Sequence, residues 1–323
     1  MAISYEFSIG SVRAKETSLL SAQDTERLLG CRDTAQLCST LSDLGIGKGN
    51  SVDAVLAQHE KETWAYLKSV APDFDIFTPF IIANDIHNFK VTLKGIMAER
   101  EYKHLMLSPN IVPHETMIKA VENRRMSLLP EFMQKPCDEA YELLAHTGDA
   151  RAADSVLDRA LMDEMLRLSK QYRSAFLREY FQTQIFYNNV KIAIRASRAK
   201  PTRDYLEKSL CEVPHFRKKE IIDAALKGYD SLIGELSKDS ACECDKAMEA
   251  YKESPSAFEK FTDDKLMRLA RESCKRTCEG AEPLLGYYLG REAEKKMIHI
   301  IASGIRTGAD VDNIRERLRE IYG

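Results

Sequence analysis

Four of the eight cysteines are spaced closely enough to suggest a metal site. Cys242 and Cys244 lie two residues apart, and Cys274 and Cys278 lie four apart. A structural zinc ion is held tetrahedrally by thiolates or imidazoles, and a Cys-x2-Cys turn usually supplies each pair of ligands. Because neither pair has that spacing, the sequence favours buried or incidental thiols. An enzyme that uses zinc at these cysteines is the less favoured interpretation.

The glycine-rich segment 45–49 contains Lys48 and therefore invites comparison with a phosphate-binding loop. The Gly-x4-Gly-Lys-Ser/Thr spacing is absent, and no strand-like segment precedes the glycines. The seven scattered histidines form no His-Glu-x-x-His pair, and no Gly-x-Ser-x-Gly turn marks a nucleophile. We therefore expect a helix end followed by a turn at segment 45–49. We expect no catalytic residue, no cofactor and no bound metal.

A polar residue that recurs along the chain is the strongest candidate for function. The segment around Asn88 recurs around Asn189 and, more faintly, around Glu294, at intervals of 101 and 105 residues. Asn88 also lies in a row with Asp85 and Thr92 beside an apolar helix face, since their spacings are three and four. A recurring buried asparagine more often forms a structural hydrogen bond between helices than takes part in catalysis. The repeat positions are Asn88, Lys90, Asn189, Lys191, Glu294 and Lys296.

The elements that carry these positions are expected to be helices. Apolar residues make up 44% and charged residues 30% of the 323 residues, a balance typical of a globular chain. Only 15 Gly and 10 Pro are present, which disfavours turn-rich sandwiches and barrels. The first helix signal spans residues 8–29, and the clearest helix begins after Pro79, where apolar residues recur every three or four positions. We therefore expect an all-α protein.

The long repeat also predicts the domain organisation. A period of about 100 residues exceeds the roughly 20–50 residues of solenoid units, so each copy is interpreted as a small helical domain. The expected units are residues 1–109, 110–209 and 210–323, three related helical domains. The polar stretch 237–255 is interpreted as a solvated connector. The chain begins with no basic stretch followed by an apolar run and contains no stretch of about 18 apolar residues, so we expect a protein that is neither exported nor membrane-spanning.

Charge is distributed unevenly along a chain whose net charge is only −3. Such a chain has no global field that would attract nucleic acid, so a charged contact must be local. Residues 191–220 contain nine basic and four acidic side chains. This stretch suits docking to an acidic protein partner, although a solvated outer face is the simpler explanation. The candidate partner-binding residues are Arg195, Arg198, Lys200, Arg203, Arg217, Lys218 and Lys219.

Several of these features, taken in order, resemble one known family. They are Tyr5, Val12-Arg13-Ala14, Leu19-Leu20, Trp64-x-x-Leu67, Asp85-Ile86-His87-Asn88-Phe89-Lys90 and Arg291-Glu292-Ala293-Glu294-Lys295-Lys296. The chain resembles the C subunit of the rotary V-type ATPase/ATP synthase, whose eukaryotic relative is the d subunit. The resemblance extends over essentially the whole chain.

The resemblance implies a mechanical part of a cytoplasmic, membrane-associated complex. Family members fold as three similar helical domains about a pseudo-threefold axis and form a funnel. The funnel sits on the membrane proteolipid (c/K) ring and receives the central shaft, which is made of the D and F subunits, while ATP is hydrolysed or made elsewhere. A helical-repeat scaffold that binds soluble partners, unrelated to a rotary ATPase, is the alternative interpretation.

Overall fold

The protein is built from helices. A computed structural model describes residues 3–323, and within this range it contains no strand. The expectation of an all-α fold is confirmed. The α-helices are α1 (Tyr5–Glu16), α2 (Ala22–Leu29), α3 (Thr34–Asp43), α4 (Val52–Val70), α5 (Thr78–Met97), α6 (His114–Glu122), α7 (Glu131–Thr147), α8 (Ala150–Gln171), α9 (Ala175–Ser197), α10 (Arg203–Ser209), α11 (Lys218–Lys227), α12 (Tyr229–Leu236), α13 (Cys244–Glu253), α14 (Pro255–Ala270), α15 (Glu282–Thr307) and α16 (Val311–Arg317). No helix among the described residues has both the length and the hydropathy to cross a membrane.

The chain divides into two compact units. Unit 1 combines the described residues up to Phe74 with Ala247–Gly323, so it contains both ends of the described chain. Unit 2 is the continuous segment Asp75–Lys246. The division into three domains at 1–109, 110–209 and 210–323 stays a prediction.

Each unit has its own apolar core. In unit 1, α2, α3 and α4 pack with α15 and α16 around fully buried side chains such as Leu28, Leu41 and Ile298. In unit 2, α5 to α8 enclose a second core that includes Phe89 and Met133. The apolar face of α5 therefore points into a core, as its three-to-four spacing predicts. Its polar row is buried as well, since Asp85, Asn88 and Thr92 are each at most 1% exposed.

The expected single helix over residues 8–29 is wrong, because the chain breaks between α1 and α2. Ser21 caps α2: its hydroxyl accepts the Asp24 N–H, and the Asp24 carboxylate accepts the Ser21 N–H. This reciprocal arrangement starts a new helix by satisfying two backbone donors. In the break, the N–H groups of Ser18 and Leu19 donate to the carbonyl oxygens of Lys15 and Glu16, whereas that of Leu20 donates to a side chain elsewhere in unit 1.

The stretch 237–255, expected to be a solvated connector, is largely helical. It contains α13, in which Cys244, Ala247 and Met248 are fully buried. These three residues have spacings of three and one and therefore share one face of the helix. The charged residues that suggested a connector surround these three in the sequence, and only Asp245 and Lys246 lie between them. The expectation failed because an apolar face this short and small is hard to distinguish from a polar loop.

Candidate functional site

Two asparagines of unit 2 hold loop backbone in the same way. Asn88 on α5 donates from Nδ2 to the Leu107 carbonyl oxygen at 3.0 Å and accepts the Leu107 N–H at 2.7 Å. Asn189 on α9 does the same to Cys211, at 2.9 and 3.0 Å. A carboxamide carries one donor end and one acceptor end, so it can satisfy both polar groups of one peptide residue. The recurring asparagine thus ties a helix to the loop that follows it, rather than one helix to another.

We call a side chain that is hydrogen-bonded to a distant backbone segment in this way a clamp. Asp85 adds to the clamp formed by Asn88. Its carboxylate accepts the Ile111 N–H at 3.1 Å and the Val112 N–H at 2.9 Å. Burial raises the pKa of Asp85 to about 6, although the two backbone donors and the nearby His114 oppose that rise. The loop is fixed at further points, since Asn84 Nδ2 donates to the Pro109 carbonyl oxygen at 2.8 Å. The neighbouring loop backbone is therefore held along most of its length by one face of α5.

The loop clamped in this way presents apolar side chains to solvent. Leu105, Leu107 and Ile111 are 50%, 43% and 45% exposed, although their backbone groups are bonded to α5 or to His114. A fixed, exposed apolar loop is a candidate contact surface. Sequence reasoning missed it. The signal that was available is the Val112-Pro113-His114 segment, which recurs at residues 213–215 at the same interval of 101 that separates Asn88 from Asn189.

The third repeat position forms a charged clamp in unit 1. Glu294 on α15 is 3% exposed, and its Oε1 accepts the Leu20 N–H while its Oε2 accepts from Arg291 Nη1 at 2.8 Å. Arg291 also donates to the Ser18 hydroxyl at 2.8 Å and to the Tyr287 hydroxyl at 3.0 Å. These side chains of α15 are therefore hydrogen-bonded to the segment between α1 and α2, and Glu294 follows Leu20 by 274 residues in the chain.

A buried histidine lies beside this ion pair. His59 on α4 is 6% exposed, and its Nε2 lies 3.5 Å from Glu294 Oε2. Its other ring nitrogen, Nδ1, lies 3.1 Å from the Ile46 carbonyl oxygen. The same two helices are also joined through the next residue of each, where Lys295 Nζ lies 3.3 Å from the Glu60 carboxylate. Unit 1 thus concentrates ionisable groups where unit 2 uses carboxamides.

Two lysines of the repeat, Lys90 on α5 and Lys296 on α15, form ion pairs with neighbouring helices. Lys90 Nζ lies 2.5 Å from Asp158 on α8, and Lys296 pairs with Asp263 on α14. Lys191 is half-buried on α9. The two pairs join α5 to α8 and α15 to α14, which is a structural role.

The candidate partner-binding residues lie mostly on the surface of unit 2. All seven are exposed except Lys218, which is partly buried. Arg195, Arg198 and Lys200 lie in the last turn of α9 or just beyond it, where cations interact favourably with the helix dipole. The positive charge at this end of α9 therefore also has a local structural explanation.

Several of these cations already have partners within unit 2. Arg203 pairs with Asp223, Arg217 lies 3.0 Å from Glu235, and Lys218 lies 3.6 Å from Glu207. By contrast, neither Arg195 nor Lys200 has an ion-pair partner among residues 3–323. Arg203 and Arg217 thus form ion pairs that join α10, α11 and α12, whereas Arg195 and Lys200 remain open to solvent.

The cysteines are thiols in the described part of the chain. Burial raises the pKa of Cys211 to about 12, and that of Cys244 to about 12, so neither is a thiolate at neutral pH. Within residues 3–323 no group of three or more His, Cys, Asp or Glu side chains is arranged to hold a metal ion.

Comparisons with known proteins agree on one family. The family described as "ATP synthase (C/AC39) subunit" matches residues 8–317. The C subunit of the V-type sodium ATPase of Enterococcus hirae is 19% identical over 320 residues, which cover 96% of this chain and 97% of that protein. The C subunit of the A-type ATP synthase of Methanocaldococcus jannaschii is 21% identical and covers 97% of this chain and 86% of its own length. The C subunit of the A-type ATP synthase of Methanobrevibacter smithii is 24% identical over 276 residues, which cover 79% of this chain and 71% of that protein. Because the family match runs through nearly the whole chain, this protein belongs to the ATP synthase (C/AC39) subunit family.

Proposed function

We propose that this chain is a non-catalytic central-stalk subunit of a rotary V-type or A-type ATPase. In this role it would sit on the cytoplasmic side of the membrane as a peripheral subunit. It would couple the shaft, made of the D and F subunits, to the membrane proteolipid ring. The observation that carries the proposal is the family match over residues 8–317, together with curated relatives that are named as the C subunits of such enzymes.

We propose a triplicate, funnel-like architecture, and the three clamps support its triplication. Asn88 and Asn189 each hold a backbone segment that follows their own helix, 19 and 22 residues later. Glu294 lies near the C-terminal end and instead holds Leu20, so the segment that would follow the third helix comes from the other end of the chain. This is the arrangement expected if three equivalent units follow each other around a ring, with the third unit closed by the first residues. Buried, satisfied polar contacts also suit a part that must keep its shape under torque.

The cations open to solvent on unit 2 are the proposed contact with an acidic partner. Arg195, Lys200 and Lys219 are exposed and have no ion pair within 4 Å among the described residues. Complementary charges of this kind mainly steer association and fix orientation. Because single exposed pairs contribute only about 0–1 kcal/mol, several must act together.

Isolation of the native complex tests the assignment most directly. A tagged chain expressed at its natural level should be recovered from detergent-solubilised membranes together with rotary ATPase subunits, including the shaft and the proteolipid. Mass spectrometry of the recovered proteins is the measurement. Recovery with soluble, unrelated proteins only would contradict the proposal and favour a helical scaffold.

A charge-reversal variant tests the contact surface separately. Arg195→Glu, Lys200→Glu and Lys219→Glu together leave the intrachain pairs of Arg203, Arg217 and Lys218 intact, so the chain should fold normally. We expect weaker binding to the D–F shaft or to the ring, and less dependence of that binding on salt. The matched control reverses three exposed cations of unit 1, Arg32, Lys61 and Lys68. Unchanged binding by the first variant would move the contact to uncharged residues, with Leu105, Leu107 and Ile111 the first to test.

The purified chain should not hydrolyse ATP. The sequence contains no phosphate-binding loop and no cluster of acid, base and cation that phosphoryl transfer requires. Phosphate release assays on the isolated chain should match the buffer blank. A rate that persists through successive purification steps in proportion to the chain would contradict a purely mechanical role.

A further inference from the structure

Unit 1 contains a basic cavity that neither the clamps nor the family assignment explains. It has a volume of about 300 Å³ and is lined by Arg268, Arg271, Glu272, Lys275 and Arg276. Arg268 lies in the last turn of α14, Arg271 and Lys275 lie at the two ends of the turn that follows, and Arg276 comes directly after it. The chain passes from the end of α14 into a π-helical turn, Arg271–Lys275. Such turns are rare and occur often at functional sites.

One carboxylate positions two of the cations. Glu320 Oε1 accepts from Arg268 Nη1 at 2.8 Å, and its Oε2 accepts from Arg271 Nη2. Glu320 is fixed in turn, because its backbone N–H donates to Asp264 Oδ1 at 2.7 Å. Each guanidinium has five N–H donors and uses only one nitrogen on Glu320. Both guanidiniums are therefore oriented while most of their donors stay available.

The other two cations leave the cavity with excess positive charge. Lys275 Nζ lies 3.4 Å from the Tyr322 carbonyl oxygen, which is neutral, and Arg276 has no ion-pair partner among residues 3–323. Both are exposed. Glu272 and Glu320 together offset only two of the four positive charges. Cations that line one cavity repel one another, and a bound anion would reduce that repulsion.

We propose that this cavity binds a phosphate group, carried either by a free phosphate compound or by the headgroup of an anionic lipid. Fixed guanidiniums donate to phosphate oxygens in a bidentate manner, and a lysine adds a mobile point charge. A volume of about 300 Å³ is at the lower end of the range found for small-ligand sites, which suits a small anionic group. The site is independent of the partner surface proposed on unit 2.

Thermal unfolding and calorimetry with inorganic phosphate test the site on the full chain. Phosphate should raise the Tm above its value in sodium chloride of equal ionic strength, with a dissociation constant of about 1 mM. The Lys275→Glu/Arg276→Glu variant should bind at least about tenfold more weakly, because two of the four cations are reversed. The Lys275→Gln/Arg276→Gln variant removes the charges without adding repulsion and should also bind more weakly. The control Lys61→Glu/Lys68→Glu changes the net charge by the same amount elsewhere in unit 1 and should bind as the original chain does.

Sedimentation with vesicles distinguishes the two sources of phosphate. Binding to phosphatidylglycerol-containing vesicles but not to pure phosphatidylcholine vesicles, lost in K275E/R276E, would identify a lipid headgroup. Binding of inorganic phosphate without vesicle binding would identify a free phosphate compound. Equal phosphate affinity in K275E/R276E and K61E/K68E would overturn the proposal. The proposal would also be overturned if K275E/R276E kept its phosphate affinity but lost binding to an acidic protein, because the cavity would then be a protein contact.

Discussion

The neutral clamps of unit 2 and the charged clamp of unit 1 solve the same structural problem with different chemistry. Asn88 and Asn189 each satisfy a loop residue with one carboxamide and need no other side chain. Glu294 only accepts, so it holds the Leu20 N–H but requires Arg291 to balance its buried charge. Arg291 in turn reaches Ser18. The comparison shows that a carboxamide makes a self-sufficient clamp, whereas a carboxylate makes one that depends on its partners.

Removal of Arg291 should therefore have the largest effect. Arg291→Met keeps much of the side-chain volume but leaves Glu294 as a buried charge without its partner, which costs about 3–5 kcal/mol of unfolding free energy. Trp64 is the only tryptophan and lies in unit 1, so its fluorescence during urea unfolding reports on this unit. The double variant R291M/E294Q removes both charges and should recover part of the loss. Equal destabilisation by the single and double variants would show that the buried charge is not the cause.

Removal of the carboxamides should cost less and should differ between the two neutral clamps. Asn189→Ala leaves the peptide groups of fully buried Cys211 unsatisfied, at a cost of about 2–3 kcal/mol. Asn88→Ala should cost about 1–2 kcal/mol, because Leu107 is 43% exposed and water can replace the amide. Amide hydrogen exchange at Cys211 and Leu107 is the measurement. A larger loss of protection at Leu107 than at Cys211 would contradict this order.

Asp85 allows a test of charge beside the neutral clamp that Asn88 forms in unit 2. Its pKa is raised from 3.8 to about 6 in the folded protein, so the folded state binds the proton more tightly than the unfolded state. The associated stability is fully present below about pH 3.8 and is lost as the pH rises through about 6, on the order of 3 kcal/mol in total. Asp85→Asn should remove this pH dependence of the unfolding free energy of unit 2. Asp138→Asn, at an exposed position on α7, should leave it unchanged.

An exposed ion pair should show the smallest effect. Glu26 on α2 lies 2.9 Å from Arg315 on α16, in the same unit as the charged clamp. Since both side chains are exposed and screened by salt, Glu26→Gln should leave the urea midpoint of Trp64 fluorescence within error of the original chain. A shift as large as that of R291M would mean that burial does not explain the importance of the charged clamp.

The sequence by itself determined the helical class and the positions worth examining. Helical spacing after Pro79 and the low glycine and proline content are local properties, so they predict helices without knowledge of the fold. The recurrence of Asn88 at Asn189 and Glu294 is likewise visible in the sequence. Family membership was also accessible, because its motifs appear in order along the chain.

Only the tertiary structure decided what these residues hold. The groups bound by the clamps are backbone N–H and C=O groups, which every non-proline residue carries, so no sequence pattern marks Leu107, Cys211 or Leu20 as the partner. The break before α2 and the contact of Glu294 with a segment 274 residues away depend on which surfaces pack together. The same holds for Glu320, which meets Arg268 across 52 residues of chain. The spacing of residues in the sequence predicts which face of a helix a side chain occupies. Only tertiary packing determines which residues that face contacts.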